Sequence, residues 1–590
     1  MHKKILILIF VILSFRHAPL VAATTNPLQS YESKWISAGV SAHYEIPESV
    51  YNLACQQSNS INEVTVNDLS LKDASNVIKF KAYLKIIKDS YEWQKIPFPI
   101  DFFRPARSDL DDFAKAFPIK DLASLKEYCK IVEEKSALIE QKSDHIKSLT
   151  KTGELPSFKL LRALKEEYFY YDKDYNSDYK LEQIAQNAIS IARQNNHPDA
   201  EKMQTFLDKR AEESLSISFY FHDLCDAIDK AMDVQKAKET KDDSDLYDAK
   251  IEAKLSYIFL KNERSTNFIE DCKLENEAKS KQLTRMIIDW AKTPEIRTKL
   301  ADDESDIGKR RDMLVYQIFK SQSVKDQVEA FNIISKTMKQ DIRPTLLDLK
   351  SRSVGWLPKA SDRRDYSISD VKFEVTDTLE AEGKLGTYHD GRAAFSETMT
   401  RAAATAVFAH ESFPGHHFQH HVTSATNNDP SFFNIVESYL PPEIRKSYIE
   451  GWAEYATGLV ISDNFYQGED SLDVSIDLLT DQVIRLDASA RLVHTLTQND
   501  DRLMISYSDY NVGGLGLGSV RTKPSEYIRV LPYGAGRRFI TKLRMESENR
   551  LGSKFRLQSF NDFILEYALG PLPAMQELTN LWVERQLQSR

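Results

Sequence analysis

The chain has 590 residues, a formal net charge of −10 and 42% apolar residues. This length allows at least one large core, and the composition excludes collagen-like, low-complexity and wholly disordered proteins. The balance of 78 basic against 88 acidic side chains argues against nucleic acid as a main partner, which usually needs a basic surface. With only 19 glycines and 20 prolines, the composition favours a mainly α-helical protein.

Residues 1–23 have the pattern of a signal peptide. Two lysines precede a largely apolar run from Ile5 to Phe15, and Val21–Ala23 supplies small residues at the expected cleavage point. The run is shorter than the ~20 residues that span a bilayer, and no second long apolar run follows. No cysteine near the cleavage point suggests a lipid anchor. The sequence therefore predicts an exported protein, periplasmic or secreted, without integral membrane association after cleavage.

Four cysteines leave two interpretations open. An exported chain permits disulfides, and four cysteines allow three pairings among which the sequence cannot choose. Free, buried thiols are the alternative. None of the spacings is that of paired zinc-ligand cysteines. The four residues are Cys55, Cys129, Cys225 and Cys272.

The chain divides by pattern into a signal peptide (1–23), a helical N-terminal region (24–357) and a C-terminal region with the chemical motifs (358–590). We expect the last two to form one intertwined unit. In the N-terminal region apolar residues recur at spacings of three and four, which predicts long helices. These helices cover Asp68–Ile87, Leu122–Leu149, Asp199–Ala237 and Leu246–Trp290. Alternation over Val371–Val375 predicts a short strand or hairpin.

Histidines gather at the start of the C-terminal region. Five of the 13 histidines lie between residues 410 and 421. The preceding segment, Thr400–Ala409, is rich in alanine and should be a helix that ends at His410 and Glu411. In the zinc-protease pattern His-Glu-x-x-His, two histidines one turn apart bind the metal and the glutamate is the base. We therefore predict His410 as a zinc ligand and Glu411 as the general base.

The spacing to the next histidine departs from that pattern. Pro414 stands four residues after His410, and His416 and His417 follow at six and seven residues. On a regular helix His416 would face away from His410, and His417 would lie about 10 Å further along the axis. Pro414 interrupts helical hydrogen bonding and Gly415 permits unusual dihedrals, so a two-residue bulge would bring His416 to the ligand position. His416 is the predicted ligand, and His417 is the alternative or an outer contact.

The third ligand is predicted in a helix that follows Pro441. Glu450 and Glu454 lie one turn apart on one face of this helix. One of them can bind the metal while the other orients a histidine ligand. The apolar face of the same helix consists of Trp452, Tyr455, Ala456, Leu459 and Val460.

Two motifs resemble those of the bacterial family known as DUF885. The first is His-Glu-x-x-Pro-Gly-His-His-x-Gln at residues 410–419, and the second is Glu-Gly-Trp-Ala-x-Tyr at residues 450–455. Segments at Arg491–Val493, Tyr533–Arg544 and Gly552–Leu572 also resemble the family. The family in turn resembles the gluzincin zinc metallopeptidases. The resemblance implies a large helical metallopeptidase-like fold with a central cleft, at most a small β element and a peptide substrate.

The resemblance also implies roles for individual residues. One zinc ion is expected, with three protein ligands: His410, His416 and Glu450. Glu411 matches the catalytic base. Tyr533 occupies the family's tyrosine position, from which it could donate a hydrogen bond to a developing oxyanion. Arg491 could bind a substrate carboxylate, or could equally be part of a structural ion pair.

The chain departs from the family pattern after Arg491. The family's aspartate and histidine are Thr495 and Asn499 here, and its later histidine is Asn561. The predicted function is an exported zinc-dependent metallopeptidase that hydrolyses peptide bonds. Two alternatives stay open: a non-catalytic zinc-fold protein that binds peptides or a partner, and a zinc hydrolase of non-protein amides. Glu411 favours an enzyme, because a structural zinc site needs no base.

Overall fold

The computed structural model describes most of the chain after residue 27. The described residues are 28–38, 46–94, 119–153, 155, 161, 165, 177–213, 217–238, 265–294, 296–297, 306–337, 341–363, 365–367, 371–377, 379, 385–389, 391–397, 399–426, 431–462, 472–476, 478–480, 482–483, 486 and 524–588. The predicted signal peptide lies outside them.

Helices account for most of the described residues, which confirms the predicted mainly α-helical fold. The helices that precede the sheet are α1 (Gln29–Ala38), α2 (Glu48–Asn62), α3 (Leu71–Gln94), α4 (Leu122–Thr152), α5 (Ser177–Gln194), α6 (Ala200–Glu213), α7 (Ile217–Lys238), α8 (Ser265–Ala291), α9 (Asp306–Lys320), α10 (Val324–Thr337), α11 (Arg343–Ser353) and α12 (Leu357–Ala360). Those that follow it are α13 (Arg401–Glu411), α14 (His416–Thr426), α15 (Phe433–Glu437), α16 (Pro442–Ser462), α17 (Pro524–Leu551), α18 (Leu557–Phe563) and α19 (Leu572–Gln588). A 3₁₀ turn at Gly552–Lys554 and a π-helical turn at Ile564–Ala568 flank α18.

The predicted N-terminal helices are found with shifted boundaries. Helices α3 and α4 correspond to the first two predictions, and the third, Asp199–Ala237, comprises the two helices α6 and α7. The fourth is found only from Ser265 onward, because residues 246–264 lie outside the described residues. Local capping sets the ends of α4: the Asp121 carboxylate accepts a hydrogen bond from the Ser124 amide, and Gly153 adopts a left-handed φ of 78°.

Helices α4–α7 pack on one another around an apolar core of their own. We call these four helices the N-terminal bundle. Its buried residues include Leu125, Ile146, Ile189, Leu224 and Ile228. Each of these side chains comes from the apolar stripe of an amphipathic helix, so the bundle follows directly from the 3.6-residue periodicity.

A small three-stranded sheet lies in the chain between the N-terminal helices and the motif helices. It consists of β1 (Lys372–Thr376), β2 (Gly386–His389) and β3 (Arg392–Ser396), in the order β1-β3-β2. The strand predicted at Val371–Val375 is thereby confirmed as β1. Strand β3 pairs antiparallel with β2 and parallel with β1. Helix α13 follows β3 closely, and β2 lies beside it.

The motif helices pack around a second, larger apolar core. Helices α13, α14, α16, α17 and α19 contribute to it, with Phe408, Phe418 and Trp452 among its most buried side chains. Elements from before residue 357 take part as well: Ile78 of α3 and Leu346 of α11 belong to this core. Contacts therefore cross the predicted boundary at 357/358, and the division into regions remains a prediction.

Helices α16 and α17 approach each other closely at two glycines. A Cβ atom added at Gly536 would lie 1.8 Å from the carbonyl oxygen of Ser447, and one added at Gly451 would lie 2.6 Å from Gly536 Cα. Any larger residue would force the two helices apart. The crossing fixes α17 against the helix that carries the predicted glutamate ligand.

All four cysteines are free thiols, so the free-thiol interpretation holds for the structure. Cys129, Cys225 and Cys272 are buried, and burial raises the pKa of Cys272 to about 12. Such a thiol stays protonated at neutral pH and is a poor nucleophile. In the described part of the chain, no helix combines the length and the apolar character needed to cross a membrane.

Candidate metal centre

Helix α13 brings His410 and Glu411 to the centre of the motif region. The helix begins at Thr400, whose hydroxyl accepts a hydrogen bond from the Ala403 amide at 3.1 Å. Alanines along α13 are almost fully buried, so neighbouring elements approach its backbone closely. The helix ends after Glu411, which places both predicted residues in its last turn.

The break between the two motif histidines has the form of the predicted two-residue bulge, because the Phe418 amide donates to the Ser412 carbonyl, six residues back instead of four. Residues 412–415 separate α13 from α14, and the peptide bond before Pro414 is cis. The backbone leaves the helical dihedrals at Ser412, with φ −115° and ψ −92°, whereas Gly415 does not have a positive φ. A Cβ atom at Gly415 would lie 1.8 Å from the His410 carbonyl oxygen, so glycine is needed there for space. The break turns the chain so that His416 starts a new helix beside His410.

Helix α16 is tied to this break. The indole nitrogen of Trp452 donates a hydrogen bond to the Pro414 carbonyl at 3.1 Å, within the buried core. The predicted apolar face of α16 is buried as expected. On the same helix, Glu450 contacts both His410 and His416, and Glu454 contacts His410.

Three predicted ligands meet at one point. Glu450 Oε2 lies 3.4 Å from His410 Nε2 and 3.2 Å from His416 Nε2. One ligand atom from each residue lies within 4.8 Å of the other two. In the part of the chain that the structure describes, no other group of three His, Cys, Asp or Glu side chains is placed in this way.

The spacing of these atoms fits a tetrahedral metal ion. Zinc binds nitrogen and oxygen at about 2.0–2.1 Å, so two ligand atoms of a tetrahedral site are roughly 3.3–3.4 Å apart. The two distances from Glu450 Oε2 are close to this value. Two histidines and one glutamate are also a ligand set found at catalytic zinc sites, which keep a fourth position for water or substrate.

The outer nitrogens of both histidines face oxygen atoms. His410 Nδ1 lies 3.2 Å from Glu454 Oε1, and His416 Nδ1 lies 3.0 Å from Gln419 Oε1. A hydrogen on each Nδ1 satisfies these contacts, and a neutral imidazole then directs the lone pair of Nε2 at Glu450. The Nε2 atoms of the two histidines and Oε2 of Glu450 are then three electron-rich atoms in contact. They require either a cation between them or an extra proton on each imidazole ring. The donor set therefore suits a metal ion, with a buried ion-pair cluster as the other arrangement that satisfies it.

The electrostatics of the site follow from burial and mutual attraction. Burial opposes charge on His410, but Glu450, Glu454 and Glu411 outweigh it and hold the pKa of His410 well above its usual value. Burial also opposes ionisation of Glu450, yet the hydrogen bonds to His410 and His416 hold the pKa of Glu450 well below its usual range. Glu450 is thus a carboxylate, as a ligand must be.

Glu411 is buried next to the cluster and is not one of its three ligands. Burial raises the pKa of Glu411, while attraction from His410 and His416 lowers it. Gly386 at the start of β2 lies directly on this side chain, because a Cβ atom there would be 3.2 Å from Glu411 Cγ and 2.3 Å from Val407 Cγ1. The sheet edge therefore restricts where the Glu411 carboxylate can point.

The remaining predicted residues have different outcomes. The ring of Tyr533 lies nearly parallel to that of His410, with centroids 6.2 Å apart. His417 points elsewhere: its Nδ1 lies 3.0 Å from the Tyr388 hydroxyl of β2, and the alternative ligand assignment loses support. Glu454 contacts His410 in the manner of an orienting acid. Arg491 lies outside the described residues, as do Thr495 and Asn499.

Two residues at the site were not singled out from the sequence. Gln419 contacts His416 and is the last fixed position of the first motif, three residues further along the helix. A polar side chain three residues after a predicted ligand, on the same helix, could have been predicted to contact that ligand. The sequence offers no such signal for Gly386, because its role depends on a tertiary contact between β2 and α13.

The comparisons with known proteins support the resemblance for part of the chain. Residues 381–493 match the family model described as "Bacterial protein of unknown function (DUF885)". The matched segment contains both motifs, whereas Tyr533 lies beyond it. A search of curated proteins finds no match.

Two solved structures are similar in fold to this chain. One is "the putative lipoprotein from Colwellia psychrerythraea", with 14% identity, a TM-score of 0.58 and coverage of 92% of each chain. The other is "a putative lipoprotein of unknown function from Shewanella oneidensis", with 13% identity and a TM-score of 0.52. The second comparison covers 94% of this chain and 97% of the other. At these identities the likeness concerns the fold alone.

Proposed function

We propose that the chain is an exported zinc-dependent metallopeptidase whose metal is bound by His410, His416 and Glu450. The observation that carries the proposal is the convergence of these three side chains, with Glu450 Oε2 at distances from both histidines that suit a tetrahedral ion and Glu411 buried beside them. A cluster of this kind is costly to bury for stability alone, because charged groups lose hydration that their mutual attraction only partly replaces. Functional sites are where such clusters are usually found.

A zinc ion at this site would supply Lewis-acid chemistry, polarising a substrate carbonyl and acidifying water. Glu454 orients His410 through Nδ1, which leaves Nε2 of that ring available to the metal. Glu450 is ionised, so it binds a cation without first losing a proton. The protein therefore brings a preorganised ligand set to the ion.

Glu411 is proposed to move the proton. Its carboxylate accepts a proton from the attacking water and passes it to the amine that leaves the peptide. The burial that raises the pKa of Glu411 makes it a better proton acceptor than an exposed glutamate. Gly386 restricts the side chain from the β2 side, which favours one orientation over many.

Tyr533 is proposed to stabilise the developing oxyanion. Its ring stacks against that of His410, which places Tyr533 at the edge of the metal centre. Hydrogen-bond donors aimed at such an oxygen are among the largest contributors to catalysis of acyl transfer. Arg491 remains a proposed ligand for a substrate carboxylate.

Export of the protein is proposed from two observations. Residues 1–23 have the pattern of a signal peptide. Both solved structures of similar fold are described as lipoproteins, which are proteins carried across or anchored to a membrane. We therefore propose a periplasmic or secreted protein.

A non-catalytic peptide- or partner-binding protein is the second candidate. Thr495 and Asn499 replace two residues of the family pattern, and this substitution favours loss of turnover with metal binding kept. A zinc hydrolase of non-protein amides would use the same groups. The buried base Glu411 favours the two enzymatic candidates over the binding protein.

The decisive experiment measures zinc content and peptide cleavage on the purified chain. We expect one zinc per wild-type chain and cleavage within a broad peptide library. His410→Ala should lose the zinc, whereas His420→Ala, which changes an exposed histidine directly after the motif, should keep it. Glu411→Gln should keep the zinc and reduce cleavage by roughly 10²–10⁴-fold, the range of general-base catalysis. Zinc retained by His410→Ala would refute the ligand assignment. Zinc binding without any cleavage by wild type would favour the non-catalytic candidate.

A further inference from the structure

Gln419 connects the two helices that carry metal ligands. It lies on α14, three residues after His416, and its side chain is buried. Its amide oxygen lies 3.0 Å from His416 Nδ1, and its amide nitrogen donates to the Ile449 carbonyl of α16 at 3.2 Å. Ile449 immediately precedes Glu450, so one side chain contacts a ligand on one helix and the residue before a ligand on the other.

The two contacts together determine the orientation of the amide. A backbone carbonyl can only accept, so the nitrogen of Gln419 must face Ile449 and the oxygen must face His416. An oxygen there requires a hydrogen on His416 Nδ1. The other ring nitrogen, Nε2, is then the one with a free lone pair, and it is the atom that lies 3.2 Å from Glu450 Oε2.

We propose that Gln419 is a positioning residue of the metal centre, which fixes the tautomer and ring orientation of His416 and the register of α14 against α16. The proposal rests on the metal site of the proposed function. It gives the two histidines different supports: a carboxylate, Glu454, for His410 and an amide for His416. Outer partners of this kind typically contribute 10–100-fold to metal affinity.

The test compares zinc affinities of three variants by competition with a chelator of known affinity. Gln419→Met keeps the length of the side chain and removes both hydrogen bonds, so zinc should bind roughly 10–100-fold more weakly. Gln419→Glu still accepts from His416 Nδ1 and should retain more affinity than Gln419→Met. Thr423→Val is the matched control, because Thr423 lies one turn further on α14 and its hydroxyl contacts only backbone carbonyls. This control should bind zinc like wild type.

Thermal unfolding of the metal-free proteins separates positioning from general stabilisation. Metal-free Gln419→Met and Gln419→Glu both lose the hydrogen bond to the Ile449 carbonyl, so both should unfold below metal-free wild type, whereas the larger loss of zinc affinity should be confined to Gln419→Met. The proposal is overturned if Gln419→Met binds zinc as tightly as wild type, or if Gln419→Glu is weakened equally. If wild type itself binds no zinc, the proposed function fails instead.

Discussion

The N-terminal bundle and the motif region place their charged groups in opposite ways. Among the residues that the structure describes, the buried charged or imidazole side chains are Lys79, Glu411, His417, Glu454 and Arg537, and none of them belongs to α4–α7. The bundle instead pairs charges near its surface, as Lys147 does with Asp223 at 2.6 Å. Its core is mainly apolar, and the buried hydroxyl of Ser143 donates a hydrogen bond to Asp223.

We propose that this difference reflects a function of the motif region. Burying a charged group costs free energy unless partners compensate it closely, so a helical bundle gains nothing by doing so. The motif region accepts that cost around His410, His416 and Glu450, where the same groups can bind a cation. Stability of the bundle should therefore be indifferent to metal, and stability of the motif region should depend on it.

Zinc binding is expected to produce the largest difference in stability between the motif region and the N-terminal bundle. A ligand present at 1,000 times its dissociation constant stabilises the native state by about 4.1 kcal/mol. Amide hydrogen exchange should slow in α13, α14 and α16 when zinc is added, with little change in α4–α7. His410→Ala should remove the response. Equal protection of the bundle would mean that the two regions unfold as one unit, and the comparison would then break down.

Tyr533→Phe tests the chemistry of the motif region without changing its ligands. Loss of one oxyanion donor costs roughly 10²–10³-fold in turnover in well-studied enzymes. We expect a fall of that size in kcat, with zinc content unchanged, because Tyr533 packs on His410 and is not among the three ligands. Tyr316→Phe, at an exposed position of α9, is the control and should have wild-type activity. An unchanged kcat for Tyr533→Phe would remove this residue from the mechanism.

Gly536→Ala tests whether the close crossing of α16 and α17 supports the site. The added methyl group would overlap the Ser447 carbonyl, and overpacking of this kind typically costs about 1–3 kcal/mol. Urea denaturation should show a loss of stability in that range, and zinc affinity should fall because Glu450 lies on the displaced helix. The control is Gly355→Ala, where the nearest atom would be 3.4 Å away and little change is expected. Wild-type stability of Gly536→Ala would show that the helices separate without cost.

The sequence predicted the parts of the structure that depend on local pattern or on a motif. Periodicity located α3 and α4, alternation located β1, and the spacing argument selected His416 over His417 because Pro414 and Gly415 interrupt the helix. The same reasoning gave the two-residue bulge, which the hydrogen bond from Phe418 to the Ser412 carbonyl confirms. It did not give the role of Gly415, which is needed for space and does not have a positive φ.

The features that could not be predicted all depend on contacts between distant segments. Gly386 approaches Glu411, and Gly536 approaches Ser447, only because tertiary packing brings those elements together. A glycine in the sequence shows neither which backbone it will face nor at what distance. The parallel pairing of β1 with β3 has the same origin, since the two strands are not adjacent in the chain.

The smallest expected effect lies in the N-terminal bundle, at the pair formed by Asp223 and Lys147. Hydrogen bonds from Lys147 and Ser143 hold the pKa of Asp223 below its usual value. The folded state therefore favours the carboxylate more than the unfolded state does. This contribution to stability is fully present above the unfolded pKa of about 3.9 and is lost as the pH falls through the lower folded value.

Asp223→Asn should destabilise α4 and α7 by at most about 1 kcal/mol at neutral pH, because both side chains are partly exposed and water screens the pair. The difference between wild type and variant should shrink as the pH approaches about 3, and also in high salt. Hydrogen exchange in α4 and α7 measures it locally, and the exchange of α13 and α14 should not change. A loss of several kcal/mol, or one that is independent of pH, would show that the bundle also relies on a buried charge and that the two regions differ less than their cores suggest.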